Sequence, residues 1–390
     1  MNKPIEIIPY GRHQLNQDDI DAVVDVLQNG WLTQGAKVTE FENAIASYCG
    51  AKYAVACNSG TAALHLAILA AGIGKDDEIV APAITFLATS NCGAYVGATP
   101  RFTDVDVSTV RMTAELLEPL LSEKTRAVLP VHFAGYPCDM SQIAPLIREK
   151  CPKAVIIEDA CHALGAKHPD GTPVGSLKWA DMSMFSFHPV KHIATGEGGV
   201  ILTDRQDLAD RLRTFRNHGM TKDASLLTKP EEGPWYYEMQ ELGYNYRIPD
   251  INCALGISQL KKIDAFVSRR QAIAERYHEE LSNLPHTILP KPEKSSDSSW
   301  HIYCLQVDFE SLGKDRKQVM KELIERGVGT QVHYYPVPLQ PWYKENYGFK
   351  EGDFDGAEKY YSQTLTIPLF PAMTDKDVES VIENITKVIK

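Results

Sequence analysis

The sequence lacks the long apolar runs and the paired cysteines that mark several common protein classes. No stretch approaches the roughly 20 apolar residues needed to span a membrane. The amino terminus, MNKPIEIIPYG, has no apolar core of a secretion signal. Eight cysteines occur without any C-x-x-C pair, which favours reduced core thiols over zinc sites or disulfides. We therefore expect a cytoplasmic protein with no membrane partner.

An excess of basic residues is also absent. The formal net charge is −11, whereas proteins that bind nucleic acids need a basic footprint. No nucleic-acid partner is therefore expected, although a local basic pocket for a small anionic ligand stays open. The 44% of hydrophobic and 23% of charged residues are typical of a globular protein. A chain of 390 residues is longer than one ordinary hydrophobic core usually serves, which favours two domains.

Predicted helices and strands alternate through most of the chain. An amphipathic helix begins after Asn16, with Ile20, Val23, Val24 and Leu27 at helical spacing. Strands are predicted at 53–57, 78–83, 100–104, 126–131, 154–157, 182–187 and 200–203. Helices are predicted between most of them, which indicates a mainly parallel sheet.

The last third of the chain changes character. We predict one long helix from residue 250 to about residue 284, a connector rich in Pro, Lys and Ser over 289–299, a strand at 302–307 and a helix at 314–326. These elements indicate a smaller α+β domain. We therefore expect a large domain at residues 1–250 and a small domain at 251–390.

Lys191 follows a short apolar strand within SMFSFHPVKHIATGEGGV, residues 183–200. Pro189 must end that strand, so the lysine lies on a loop at the strand's carboxyl end, the edge where open α/β sheets bind ligands. A lysine attacks a carbonyl only where its surroundings favour the neutral amine, which a partly desolvated site beside His188 or His192 could supply. Taken alone, Lys191 is also compatible with a solvated surface lysine.

Two further segments reach the same predicted edge. Ser59-Gly60-Thr61 turns from a strand into a helix, and the free N–H groups and positive dipole of a helix start can bind phosphate. Asp159 follows the continuous apolar run 154–157, whose strand is buried on both faces. A carboxylate there must be paired, so it either caps the next helix or pairs with the protonated ring nitrogen of a cofactor.

A metal site is the other chemistry that this region suggests. His162, His168, His188 and His192 lie near two acidic residues in the sequence. They show none of the H-x-x-x-H or H-x-E spacings of metal motifs. We therefore predict that no metal is bound.

Taken together, these segments resemble one family of enzymes. SFHPxK followed by TGEGG is similar to the cofactor-lysine segment of the DegT/DnrJ/EryC1/StrS family of sugar aminotransferases, which use pyridoxal phosphate (PLP). SGTAALHLA and EDACHALGA resemble the family's phosphate-binding and ring-nitrogen segments. The resemblance covers nearly the whole chain. It implies the α/β fold of type I PLP-dependent transferases, like that of aspartate aminotransferase, with a mainly parallel sheet in the large domain and a small α+β C-terminal domain.

The resemblance also implies roles for individual residues. Lys191 is the catalytic lysine that binds the cofactor covalently, and Asp159 pairs with the pyridine nitrogen. The other implied cofactor contacts, to its phosphate or ring, are Gly60, Thr61, Phe86, His162, Ser186 and Asn245. In the family the polar loop 222–241 crosses a dimer interface, and the asparagine completes the phosphate site of the neighbouring subunit. A homodimer with shared active sites is therefore expected.

Two motifs indicate a substrate. FSFHPVK and TQVHYYPVPLQPWY are similar to the branch that aminates C4 of UDP-linked 4-keto-6-deoxy-N-acetylhexosamines, as in pseudaminic acid biosynthesis. This implies L-glutamate as the amino donor and a nucleotide sugar such as UDP-4-dehydro-6-deoxy-β-L-AltNAc as the acceptor. The substrate contacts expected with it are Thr33, Gly35, His188, Gln331, His333 and Tyr334.

Several alternatives stay open at this point. A dTDP- or GDP-linked keto sugar could replace the UDP-linked one. A sugar dehydratase of the same fold would carry His at the position of Lys191, and a cofactor-free regulatory or binding protein would not need Lys191, Asp159 and Ser186 intact. The WLTQG loop at 31–35 is also compatible with a plain helix connection.

Overall fold

A seven-stranded mixed sheet dominates the structure, a computed structural model that describes residues 6–291, 294 and 297–390. Its strands are β1 (Tyr53–Cys57), β2 (Glu78–Pro82), β3 (Thr99–Thr103), β4 (Thr125–Val128), β5 (Val155–Asp159), β6 (Met182–Ser186) and β7 (Gly199–Thr203). Their order across the sheet is β1-β7-β6-β5-β4-β2-β3. Strands β2 to β6 pair in parallel, and β7 runs antiparallel to both neighbours. The mainly parallel sheet is as predicted.

Helices bury both faces of this sheet. They are α2 (Ala36–Cys49), α3 (Gly60–Ala70), α4 (Ala88–Tyr95), α5 (Ala114–Leu117), α6 (Met140–Lys150), α7 (Gln206–Arg216), α8 (Asp250–Leu260) and α9 (Ile263–Leu281). Helix α1 (Gln17–Asn29) packs against α8. Successive residues of the strands point to opposite faces. In β1, Val55 therefore packs with α3, α4 and α7, whereas Ala54 and Ala56 pack with α2 and α8. Because helices cover both faces of the sheet, successive residues of its strands are apolar, which explains the continuous apolar runs in the sequence.

A smaller antiparallel sheet follows. The remaining strands are β8 (Met220–Thr221), β9 (Glu238–Met239), β10 (Thr287–Ile288), β11 (Tyr303–Val307) and β12 (Thr364–Ile367). The remaining helices are α10 (Phe309–Leu312), α11 (Arg316–Ile324), α12 (Pro341–Tyr347), α13 (Asp355–Gln363) and α14 (Asp375–Ile389). Strands β10, β11 and β12 form the sheet, and α9, α11 and α14 share its core. Within the predicted connector 289–299, residues 292, 293, 295 and 296 lie outside the described residues.

Two segments differ from the sequence-based prediction. The single long helix expected after residue 249 is divided, because a turn at Lys261 and Lys262 separates α8 from α9. The Lys262 N–H donates to the carbonyl of Gln259, three residues back, and its amine binds Asp19 at 2.6 Å. The predicted loop 222–241 is partly regular, since β9 within it pairs with β8. The domain boundary at residue 250 stays a prediction.

Helix α1 forms as predicted but does not bury the expected face. Asn16 and Asp19 form a capping box, which fixes the start of the helix. Ile20, Val24 and Leu27 are 50%, 38% and 56% exposed, whereas Asp19 is buried against α8. Ile20, Val24 and Leu27 therefore face away from the chain's own core, whereas Val26 is buried. No helix in the described part of the chain combines the length and the apolar character required to cross a bilayer.

Candidate active site

A cavity of about 410 Å³ lies at the carboxyl ends of β5 and β6, a size that suits a small-molecule ligand. Seven of the predicted cofactor residues line it: Gly60, Thr61, Phe86, Asp159, His162, Ser186 and Lys191. Three of the predicted substrate residues line it as well: His188, His333 and Tyr334. The C-terminal part of the chain thus closes over the edge of the large sheet.

The start of α3 forms one end of the cavity. Ser59 caps the helix by accepting a hydrogen bond from the Ala62 N–H at 3.1 Å, and no described residue accepts from the backbone N–H groups of Gly60 and Thr61. A Cβ on Gly60 would lie 2.9 Å from that of Ser186, so only glycine lets β6 approach so closely. Free N–H groups and a serine hydroxyl together fit a phosphate.

Lys191 lies inside the cavity after the turn that ends β6. Its backbone N–H donates to the His188 carbonyl at 2.8 Å, which closes this turn. The amine is 3.5 Å from Nε2 of His301. Burial lowers the pKa of Lys191 below its ordinary value, although Cys161 and Asp159 act in the opposite direction. A larger share of neutral amine is therefore present, as a nucleophile requires.

Asp159 is the last residue of β5 and is only 5% exposed. One carboxylate oxygen accepts from the Thr89 hydroxyl at 2.7 Å and the other from the Cys161 N–H at 3.2 Å. No cation of the described residues lies within ion-pair distance of it. The helix-capping alternative is wrong, because turns and no helix follow this residue. A buried anion held by neutral donors fits the protonated ring nitrogen of a cofactor.

Two flat side chains line this part of the cavity. Phe86 lines the cavity with 56% of its surface exposed, which is unusual for a ring of this size. His162 is buried, and its Nδ1 accepts the Ala134 N–H at 3.3 Å, so the proton of the neutral ring lies on Nε2. Burial and the nearby Lys191 hold the pKa of His162 well below its usual value. Both rings are therefore uncharged surfaces suited to contact an aromatic ligand.

His333 and Tyr334 form the wall contributed by the C-terminal part of the chain. His333 is hydrogen-bonded through Nδ1 to the Thr366 hydroxyl at 2.8 Å, and burial lowers its pKa to about 3. The Tyr334 hydroxyl lies 3.4 Å from Nε2 of His162. This wall is therefore uncharged at neutral pH.

Four predicted residues do not line the cavity within a single chain. The Gly35 N–H donates to Asp250 at 2.7 Å, and the carbonyl of Thr33 accepts from the Asp250 N–H at 3.1 Å. Gln331 is exposed, because its side chain folds back to accept from the Val332 N–H. Asn245 is exposed, and its carbonyl accepts from the side chain of Asn58 at 3.4 Å. Their predicted roles stay predictions.

Tyr10 and His301 are among the cavity residues that were not anticipated from the sequence. Tyr10 comes from the amino-terminal segment and His301 from the segment that precedes β11. The ring of His301 lies against that of His162, tilted by 44° with ring centroids 4.3 Å apart, and the His301 N–H donates to the Ala134 carbonyl at 2.9 Å. Neither residue belongs to a motif or a periodic pattern, so only the fold reveals them.

One cluster in the described residues has the composition of a metal site, formed by His132, Glu158 and His168. It lies beside Asp159 but outside the cavity lining. The Cys138 N–H donates to Nδ1 of His132, so the proton of the ring lies on Nε2, which faces Glu158 at 3.7 Å. A protonated nitrogen has no lone pair for a metal. The arrangement therefore favours an ion pair with a buried carboxylate over metal ligation.

A family model and a known relative match this chain over nearly its whole length. Residues 13–386 match the model of the DegT/DnrJ/EryC1/StrS aminotransferase family. The spore coat polysaccharide biosynthesis protein SpsC of Bacillus subtilis is 39% identical over 391 residues, which cover 100% of this chain and 99% of that protein.

Solved structures agree as well. A sugar aminotransferase of Streptococcus pneumoniae in its PMP form is 31% identical with a TM-score of 0.89, over 98% of each chain. Helicobacter pylori PseC, an aminotransferase involved in the biosynthesis of pseudoaminic acid, is 28% identical with a TM-score of 0.90, over 98% of this chain and 99% of that one. The chain therefore belongs to the DegT/DnrJ/EryC1/StrS aminotransferase family and is a sugar aminotransferase of the α/β fold predicted from its sequence.

Proposed function

We propose that this protein uses PLP to transfer the amino group of L-glutamate to C4 of a UDP-linked 4-keto-6-deoxy-N-acetylhexosamine. The observation that carries the proposal is the cavity in which a partly buried lysine, a buried aspartate and a free helix start meet the uncharged wall of His333 and Tyr334. The functions stated for SpsC and PseC, in polysaccharide and pseudoaminic acid biosynthesis, support a sugar as acceptor.

The residues present fit PLP. The N–H groups of Gly60 and Thr61 and the hydroxyl of Ser186 would hold its phosphate. Asp159 would pair with the ring nitrogen, and Phe86 would contact the ring face. When bound, PLP supplies an electron sink that stabilises negative charge on the carbon bearing the amino group.

Lys191 would carry the proton transfers of the reaction. Its Nζ, whose pKa burial lowers, would remove a proton from the carbon that bears the donor's amino group. The same amine then delivers a proton to C4 of the sugar. The buried rings of His162, His301 and His333 exclude water from the amine, which limits competing proton exchange.

The acceptor is inferred from the charge of the cavity wall. Lys191 is the only lysine or arginine among the described residues that line the cavity. A dicarboxylate acceptor would normally require bidentate arginines. A keto sugar carries no charge on its ring, and its diphosphate can be held by neutral donors and backbone N–H groups. A nucleotide-linked keto sugar therefore fits the wall better than a keto diacid.

Purified protein is expected to aminate the UDP-linked keto sugar with glutamate as donor and to release 2-oxoglutarate. Incubation with UDP-, dTDP- and GDP-linked 4-keto-6-deoxy sugars, including both the L-altro and D-gluco epimers of the UDP sugar, would test this. Ring couplings in the NMR spectrum of the product identify C4 and its configuration. Efficient conversion of aspartate and 2-oxoglutarate, with no sugar accepted, would overturn the sugar assignment.

We also propose a homodimer with shared active sites. The exposed side chains Ile20, Val24 and Leu27 of α1 continue into Trp31 and Leu32, which are 75% and 57% exposed. A second exposed apolar group lies in the segment before Asn245 and comprises Leu226, Trp235, Tyr237, Met239 and Leu242. Exposed apolar patches of this kind are typical of subunit interfaces. A second subunit would bring the WLTQG loop and Asn245 next to a cavity.

Mixing two inactive variants tests the shared site. A dimer of one Lys191→Ala subunit and one Asn245→Ala subunit contains one site with both residues intact, so mixing equal amounts should recover about a quarter of wild-type activity. Activity is measured after subunit exchange has been verified by native mass spectrometry. No recovery despite exchange would show that Asn245 acts within its own chain or has no role.

The cytoplasm is the compartment we propose. All eight cysteines are free, and seven are buried, where burial raises the pKa of thiols such as Cys49 and suppresses their reactivity. Such thiols are typical of a reducing compartment.

A further inference from the structure

The amino-terminal segment 8–14 crosses the cavity as a strap between the two parts of the chain. At one end, the Ile8 N–H donates to the Gly327 carbonyl and the Gly329 N–H donates to the Ile8 carbonyl, both at 2.8 Å. The Leu369 N–H donates to the carbonyl of Tyr10 at 3.1 Å. Backbone hydrogen bonds at Ile8 and at Tyr10 therefore fix the strap to the C-terminal part of the structure.

The other end of the strap is fixed to the large sheet's helices. The Gln14 carbonyl accepts from the side chain of Gln259 in α8 at 3.0 Å. Between the two ends, Gly11 passes so close to Val190 that a Cβ on the glycine would lie 3.9 Å from that of the valine. Val190 precedes Lys191 directly. The strap thus holds Tyr10 at the mouth of the cavity.

The Tyr10 side chain is placed to contact a ligand. It lines the cavity half-buried, with its ring 5.4 Å from that of His333 and tilted against it. Burial raises the pKa of Tyr10, so the phenol stays protonated at neutral pH. None of the described residues hydrogen-bonds its hydroxyl. A phenol with a free hydroxyl and an exposed ring edge is available to a bound molecule.

The charge around Tyr10 decides which substrate it would meet. Its neighbours in the wall, His333 and Tyr334, are uncharged, because burial holds the pKa of His333 at about 3. A carboxylate of the amino donor would find no cationic partner there and would be left unpaired. A pyranose offers hydroxyl groups for the phenol and apolar C–H faces for the rings. The wall therefore suits the sugar and not the amino acid.

We propose that Tyr10 is a specificity residue for the amino acceptor, with its hydroxyl bonded to a sugar substituent and its ring packed against the pyranose. This inference rests on the proposed function. It assigns the strap to the second half-reaction, in which the sugar is aminated, and not to the first, in which the donor loses its amino group.

Two variants separate the hydroxyl from the ring. Tyr10→Phe is expected to lower kcat/KM for the keto sugar about fivefold, through KM, because one hydrogen bond is lost. Tyr10→Ala is expected to lower it about fiftyfold, because packing is lost as well. The rate of the glutamate half-reaction, followed by stopped-flow absorbance, should change less than about threefold in both variants.

Tyr335→Phe is the matched control, since Tyr335 lies in the same motif as Tyr334 but bonds the Leu339 carbonyl and lies outside the cavity lining. Its kinetics should equal those of the wild type, and circular dichroism checks that all variants fold. Equal losses in both half-reactions, or no loss for Tyr10→Ala, would overturn this inference but not the proposed function. A wild-type enzyme that accepts no keto sugar would overturn the proposed function and this inference with it.

Discussion

Replacing Lys191 by alanine is expected to reduce transamination by at least about a thousandfold, because one amine both binds the cofactor and moves the proton. The variant should still bind PLP through the start of α3 and Asp159, because these contacts do not involve the lysine. Turnover of glutamate with the keto sugar and equilibrium dialysis of the cofactor measure the two effects separately. Loss of activity with retained binding is the expected combination.

Chemical fixation identifies the lysine directly. Borohydride reduces a carbon–nitrogen double bond between an aldehyde and a lysine to a stable amine, so treated wild-type protein should carry the cofactor on Lys191. Peptide mapping by mass spectrometry locates the label. Lys178→Ala is a suitable control, because Lys178 is paired with Asp170 outside the cavity at 2.6 Å. A label on any other lysine, or ordinary turnover by Lys191→Ala, would disprove the assignment.

Replacing Asp159 by asparagine is expected to lower kcat by about a hundredfold or more while the protein stays folded. The amide keeps the shape of the carboxylate but not the charge that would hold a proton on the ring nitrogen. The hydrogen-bond pattern can adapt, because the Thr89 hydroxyl, also bonded to Thr85, can accept from the new amide. The melting temperature should therefore stay within about 4 °C of wild type.

Glu158→Gln provides the comparison within the same strand. Glu158 points to the opposite face of β5, where His132 and His168 lie 3.7 Å from it. Burial alone would raise its pKa, but the interactions with His132, His168 and Ser183 together outweigh this, so the pKa of Glu158 lies below its ordinary value. Its loss should affect stability more than kcat. If Asp159→Asn retained more than about a tenth of wild-type kcat, the ring-nitrogen role would be refuted.

The alternation of strands and helices in the large sheet was predictable because it depends on local patterns. The run 154–157 is apolar enough to be buried on both faces, and α6 (Met140–Lys150) is one of the helices expected between successive strands. The capping box at Asn16 fixed the start of α1. Such signals involve residues within one turn or one strand of each other, so no tertiary information is needed.

The break between α8 and α9 was not predictable in this way. Leu260, Ile263 and Val267 repeat as they would on one continuous helix. The turn at Lys262 accompanies a bond between its amine and Asp19, a residue 243 positions earlier in the chain. The exposure of the apolar side chains on α1 was equally unpredictable from the sequence, because periodicity shows that a helix face is apolar but not what covers it.

The sequence by itself placed Lys191, Asp159 and the start of α3 at one sheet edge, since each lies at or just beyond the carboxyl end of a strand. Only the tertiary structure decided what surrounds them. It brought Tyr10 and His301 to the lysine from both ends of the chain, and it left Gln331 outside although it shares a motif with His333. The physical reason is that a pocket wall is formed by segments distant in sequence, whose approach depends on packing of the whole chain and on no local pattern.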